Sequence, residues 1–145
     1  MNKIIVISLL GFIVALIFIA FIIVIIALIK NALKGNEISV ITKIFKGQKV
    51  TIGDMNTYLK NNTPSKEDLN VLSGYFIGRL KIPEKSGGKV PDVAKPYLDF
   101  IAFFALSSNA NAKMIADFNK DLKAKNPDYI SEIDAIESKG LKARG

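Results

Sequence analysis

Hydrophobic and polar positions divide the chain into two unequal parts. From Ile4 to Ile29 only Ser8 and Gly11 fall outside the hydrophobic set, in an uncharged run of 26 residues. As a helix rising about 1.5 Å per residue this run is roughly 39 Å long, against a bilayer hydrocarbon core of about 30 Å. A single uncleaved transmembrane span is therefore predicted. A cleavable signal peptide has a shorter apolar region, about 7–15 residues, followed by a small-x-small site. Ile29-Lys30-Asn31 offers no such site, and a chain without Cys cannot carry a lipoprotein anchor. The expected organisation is an anchor over residues 1–34 and a soluble domain over 35–145.

The span carries one stripe of small residues. Ser8, Gly11 and Ala15 recur at i, i+3 and i+7, and Gly11 with Ala15 makes a small-xxx-small pair that lets two helices approach closely. Incidental spacing in an Ile-rich run would leave the same pattern. Homo-oligomerisation through this stripe is one expectation, and Gly11→Leu in a membrane-helix dimerisation assay separates the two readings.

Beyond the span the pattern takes a helical period. Ile38, Ile41, Ile44 and Phe45 form an amphipathic segment that ends at Gly47-Gln48. It could continue the membrane helix, lie along the lipid after a bend at Gly35, or pack on the domain. Thr51 and Asp54 have the spacing of a capping box, opening a helix with Met55, Tyr58 and Leu59 on one face. Either Thr63 with Pro64, or Ser65 with Asp68, opens the next helix, whose stripe is Leu69, Leu72, Phe76 and Leu80. Lys81 to Val90 reads as a loop marked by Pro83, Gly87 and Gly88. Tyr97 to Leu106 is too short to span a bilayer and reads as a buried helix with Phe100, Phe103 and Phe104 at the centre. Ser107-Ser108-Asn109 is a break or a polar patch, after which Met114, Ile115, Phe118 and Leu122 resume the period. Asn126 as N-cap with Pro127 at the first position opens the last helix, carrying Tyr129, Ile130, Ile133 and Ile136. Gly140 fits the left-handed position past its end, with Leu141 folding back. The fold class is mostly α: one N-terminal transmembrane helix plus a small domain of four to five helices.

Composition narrows the chemistry. The chain has 145 residues and a net charge of +7, with no Cys, His or Trp. Without His or Cys there is no usual zinc site, no thiol nucleophile, no Ser-His-Asp triad and no disulfide. No cofactor or metal is implied. Residues 31–145 contain 47 hydrophobic residues in 115, an ordinary globular fraction, with 18 basic against 13 acidic side chains. Only Arg79 and Arg144 are arginines, whereas nucleic-acid surfaces favour Arg for bidentate contacts. The excess of Lys reads as a solvated surface, and no nucleic-acid partner is expected. Ser86-Gly87-Gly88-Lys89 has the spacing of a Ser–Lys nucleophile but lies in a glycine loop instead of at a helix start. Asp117 and Asp121 share a face and lack a third ligand. Glu132 and Asp134 diverge on their helix. No enzymatic activity is predicted.

Charge around the span gives conflicting signals about topology. Lys30, Lys34, Lys43, Lys46 and Lys49 follow the span and only Lys3 precedes it, which favours a cytoplasmic domain. A Met-Asn-Lys start before an apolar run looks like a signal anchor, and long domains translocate largely regardless of charge. The absence of Cys also fits an outward domain. The reading adopted is single-pass in a bacterial inner membrane with a periplasmic domain.

Taken together, the short basic start, the single span and the compact Lys-rich, Cys-free helical domain resemble small signal-anchored accessory proteins of bacterial envelope machines, such as scaffold components of flagellar motors. The resemblance is architectural and carries over no functional residue. It implies a non-enzymatic, membrane-anchored subunit with membrane lipid and protein partners in a larger assembly. Partner contact is expected from Lys81, Lys85 and Lys89 in the loop, and from Tyr129, Glu132 and Ile133 on the last helix. The alternative is a cytoplasmic-facing protein that binds anionic lipid through Lys30 to Lys49.

Overall fold

The computed structural model describes residues 2–36 and 38–144, excepting the side chains of residues 30–36. The chain separates into two compact units, Met1–Ile38 and Ser39–Gly145, a boundary four residues later than the sequence suggested. Every described residue outside turns and loops is helical, and no β-strand occurs among them.

The first unit is one helix, α1 (Lys3–Asn36). Its Lys3–Ile29 stretch is long and apolar enough to cross a membrane.

The second unit begins with a short helix, α2 (Val40–Phe45). It stops at Gly47, whose φ of +68° places it in the left-handed region. The Gln48 N–H reaches the Lys43 carbonyl at 2.9 Å and the Gly47 N–H reaches that of Ile44 at 3.0 Å. Those two bonds make a Schellman turn. Val40 is buried and Ile41 and Ile44 lean on the core, so this segment packs on the domain.

Five longer helices follow: α3 (Ile52–Asn61), α4 (Lys66–Arg79), α5 (Lys95–Leu106), α6 (Ala112–Lys125) and α7 (Ile130–Lys142). The starts of α3 and α4 are reciprocal capping boxes, Thr51 with Asp54 and Ser65 with Asp68. Each satisfies two orphan N–H donors of a first turn. The Ser65 alternative is the one adopted, leaving Thr63 and Pro64 outside the helix. Asn111 caps α6 by accepting from the Met114 N–H at 2.8 Å. Single turns of 3-10 helix, Asp92–Ala94 and Pro127–Tyr129, lead into α5 and α7.

Helix α5 is the hub: α3 and α7 pack on it, α6 packs on α7, and α4 packs on α6 and α2. The core is an aromatic cluster. Phe76 stacks on Phe100 at 5.1 Å, Phe118 meets both edge-on at 5.8 and 6.1 Å, and Phe104 lies 4.6 Å from Phe118. Offset and edge-to-face pairs of this kind add to the gain from simple burial. Leu69, Leu72, Met55, Ile101, Ile115 and Leu122 close around them.

Three expectations need correction. Phe103 is only half buried; it sits at the margin, with the Lys60 ammonium 4.9 Å above its ring. Asn126 does not cap the last helix with its side chain, which is used elsewhere. Gly140 does not end α7 in a left-handed conformation: it is helical and buried, and Leu141 is exposed. Its missing side chain serves packing, because a Cβ there would stand 2.8 Å from the Cβ of Ala105 on α5.

Candidate partner surface

The loop from Lys81 to Val90 and the start of α7 are far apart in sequence, and the fold joins them. Ile82 is buried to 1% exposure, so the loop is nailed down by its second residue. The Ile82 N–H donates to Asn126 Oδ1 at 3.2 Å, while Asn126 Nδ2 donates to the Leu122 carbonyl at 3.0 Å. One buried amide thus satisfies a loop donor and adds a second bond to the Leu122 carbonyl, which already accepts from the Asn126 backbone N–H at 2.8 Å. The Tyr129 hydroxyl donates to the Pro83 carbonyl at 2.7 Å.

Lys85 completes the attachment. Its ammonium lies 2.7 Å from Glu132 Oε1 and 5.2 Å from the centre of the Tyr129 ring. Both side chains of the ion pair are largely screened, at 19% and 28% exposure. The hydrogen bond from Lys85 holds the Glu132 carboxyl below its ordinary value, against the opposing effect of burial. Burial pushes the Tyr129 hydroxyl up. Glu132 also sits in the first turn of α7, where the helix dipole favours a negative charge.

The tip of the loop is a two-residue turn. Ser86 and Lys89 exchange backbone hydrogen bonds at 3.0 Å each, around Gly87 and Gly88 with φ of +56° and +75°. Two successive positive φ values are what a type I′ turn requires, and glycine adopts them without a steric cost. Ser86 and Lys89 therefore close a turn, and the spacing that mimics a Ser–Lys nucleophile has a backbone explanation.

This geometry divides the six residues expected to meet a partner. Ile133 is completely buried and Tyr129 is 2% exposed, so both are core residues and the expectation that they lie on an exposed edge is overturned. Ile133 faces inward because the stripe of α7 packs on α5 and α6, and Tyr129 because the 3-10 turn it ends packs on α6. Lys85 and Glu132 bind one another. Lys81 is exposed and pairs with Glu84 at 3.2 Å, and Lys89 is exposed at the tip. Tyr75 and Tyr97 are likewise structural: the Tyr75 hydroxyl accepts from the Val50 N–H at 2.9 Å, and Tyr97 packs edge-on against Phe76.

Ser8, Gly11 and Ala15 lie on the exposed surface of α1, and a Cβ on Gly11 would meet nothing within 4 Å. The side chains of Lys30 and Lys34 lie outside the described residues. Lys43 is half buried, while Lys46 and Lys49 are exposed. Among the described residues, no group of three or more acidic side chains is placed to hold a metal ion. Asp117 is paired with Lys113 at 2.5 Å, and Asp134 with Lys123 at 2.8 Å.

Two arrangements carry no signal in the residue pattern. Arg144 spans three carbonyls, donating to Ala105 at 2.8 Å and also to Ser107 and Ala110. Lys125 reaches the Ile77 carbonyl near the end of α4. Both are cations on the negative end of a helix, but the partners are 34 to 48 residues away. No protein-family model matches the chain, and no curated protein or solved structure does so at a significant level.

Proposed function

We propose that this chain is a non-enzymatic, membrane-anchored subunit of a larger bacterial envelope assembly. The observation that carries this reading is α1. Its Lys3–Ile29 stretch, uncharged from Ile4 onward, is a helix apolar on every side and long enough to cross a bilayer. In water such an apolar surface would be unstable, whereas in a bilayer a helix satisfies all its backbone groups internally. The remaining unit has its own hydrophobic core. The division of labour is then simple: α1 fixes position and the small domain presents a surface.

Lack of His and Cys argues against the usual nucleophiles and general bases, which supports a binding role. The partner-facing candidates that remain accessible are Lys81, Lys89 and the turn at Gly87-Gly88, on a loop stiffened by Asn126, Tyr129 and the Lys85–Glu132 pair. A rigid loop loses little conformational entropy when a partner docks. In this reading the domain is periplasmic and the assembly is one such as the scaffold of a flagellar motor.

In-cell cross-linking, followed by detergent extraction of the full chain, tests the reading. Cross-linked partners that remain after extraction are expected; a chain that emerges alone and monomeric refutes it. Reporter fusions after residue 145 test the side of the membrane, with activity of a periplasm-dependent reporter expected.

A further inference from the structure

Phe45 is the most exposed large hydrophobic residue of the Ser39–Gly145 unit, at 74%, ahead of Val93 at 66%. It ends α2, whose other apolar residues, Val40, Ile41 and Ile44, face the core. The Schellman turn behind it fixes the chain through Gly47 and Gln48. The aromatic ring is thus held outward by an ordered frame.

Three cations surround it in sequence: Lys43, Lys46 and Lys49. No acidic residue occurs from Ser39 to Gly53. None of the three lysines forms an ion pair with a described residue. The flanking acidic residues are Glu37, which lies outside the described residues, and Asp54, which is bound by the Thr51 N–H at 3.0 Å in its capping box and is reached by the charge of Lys43. The segment therefore pairs one exposed aromatic ring with three lysines that form no ion pair among the described residues.

The chain also limits where this segment can go. Phe45 follows Ile29, the last residue of the apolar run, by 16 positions, and α1 takes up seven of these before its end at Asn36. Seven helical residues rise about 10 Å, and the remainder, even fully extended, adds no more than about 30 Å. With α1 in a bilayer, Phe45 remains within a few tens of ångströms of the headgroups whatever the arrangement of the two units.

We infer that the α2 turn is a second membrane contact: Phe45 inserts at the headgroup level of an anionic bilayer while Lys43, Lys46 and Lys49 lie among its phosphates. Aromatic rings favour the membrane–water interface, and lysine stems let the ammonium groups reach the headgroups while the chain stays apolar. Each lysine near an anionic surface is worth about five-fold in the ratio of seated to lifted domain, so the three together give roughly a hundred-fold. The function of such a contact is to hold the domain against the membrane, giving its partner surface a fixed height and tilt. The inference rests on the anchor reading of α1 and holds for either side of the membrane.

The chain has no Trp, so a single introduced indole reports its own site. The experiment places Phe45→Trp, Phe18→Trp or Val93→Trp in the full chain, in nanodiscs with brominated lipids, and reads quenching and emission maximum. Position 18 lies within the apolar run and reports the span itself. In anionic nanodiscs, strong quenching and a blue shift are expected at positions 18 and 45 and much less at 93. At position 45 the effect should fall in zwitterionic lipid, in high salt, and on Lys43→Gln/Lys46→Gln/Lys49→Gln. Quenching at 18 without quenching at 45 overturns the second contact and leaves the anchor intact. Quenching at 45 that ignores lipid charge and the lysine substitutions also overturns it, because the phosphates then play no part. No quenching at either position overturns the anchor reading and this inference together.

Discussion

Gly140 offers the sharpest test of how the domain is packed. In a helix, Gly→Ala ordinarily stabilises by about 1 kcal/mol. Here the new Cβ would lie 2.8 Å from the Ala105 Cβ and 3.7 Å from the Ala105 carbonyl carbon and oxygen. None of these atoms can rotate away, so α5 and α7 must separate. Overpacking of this kind costs about 1–3 kcal/mol. Taking about 2 kcal/mol for the crowding against about 1 kcal/mol of helix gain, Gly140→Ala should destabilise by about 1 kcal/mol. Ala105→Gly alone should also cost about 1 kcal/mol, from helix propensity. In the double variant the crowding disappears, the two propensity changes cancel, and stability should return close to that of the parent. The pair is therefore coupled by about 2 kcal/mol in the favourable direction. Urea unfolding of the full chain in mild detergent, followed by circular dichroism, measures all four corners of the cycle. A left-handed glycine past the end of α7 would also resist alanine, but Ala105→Gly would not rescue it. Additive losses in the double variant refute the close-packing argument.

Other positions test other parts of the fold. Asn126→Ala strands the buried Ile82 N–H and should cost about 1–3 kcal/mol in urea unfolding, and Asn126→Asp should cost at least as much at neutral pH, because it buries a carboxylate against the Leu122 carbonyl that the amide donates to. Arg144→Lys should lose about 1 kcal/mol and rescue little over Arg144→Ala, because an ammonium cannot fork across three carbonyls. Glu132 has a lowered pKa in the folded state, chiefly from the Lys85 hydrogen bond. Its stabilising contribution is therefore full above the ordinary glutamate value of 4.5 and is lost as pH falls through the lowered value. Lys85→Met should flatten that acid limb in a series of melts between about pH 3 and pH 7, and an unchanged slope would show that the pair does not couple to folding.

Local signals in the chain translated well into structure where the physics was local. Thr51 with Asp54 and Ser65 with Asp68 need only three residues of spacing to close their boxes, and both do. The stripe of Leu69, Leu72 and Phe76 fixes one face of α4 by periodicity alone. The failures come where one spelling serves two environments. Gly140 near a helix end fits a left-handed cap and a tight helix crossing equally well; Ala105, 35 positions earlier, decides between them. Asn126 before Pro127 spells a cap, yet its amide is claimed by Ile82, 44 positions away. The same reason removed Tyr129 and Ile133 from the candidate surface. Amphipathic spacing marks a face but not what lies opposite it, and α7 is covered from two sides by α5 and α6.

Phe45 is the reverse case. By spacing it belongs to the stripe of Ile38, Ile41 and Ile44, yet α2 ends beneath it and leaves the ring in water. A side chain that satisfies the sequence pattern and remains uncovered by the fold is a better pointer to an outside partner than one chosen for its place along the chain. Lys85 and Glu132, expected at the partner surface from their places on the loop and the last helix, found each other instead. Among the surfaces that the domain does not need for itself are the turn at Phe45 with its lysines and the loop tip at Lys89. If the first seats on lipid, the second is held at a fixed height above it, so the anchor and the partner surface become parts of one geometry. Loosening the Phe45 contact should then weaken partner cross-linking without unfolding the domain, a result that a merely tethering α1 would not produce.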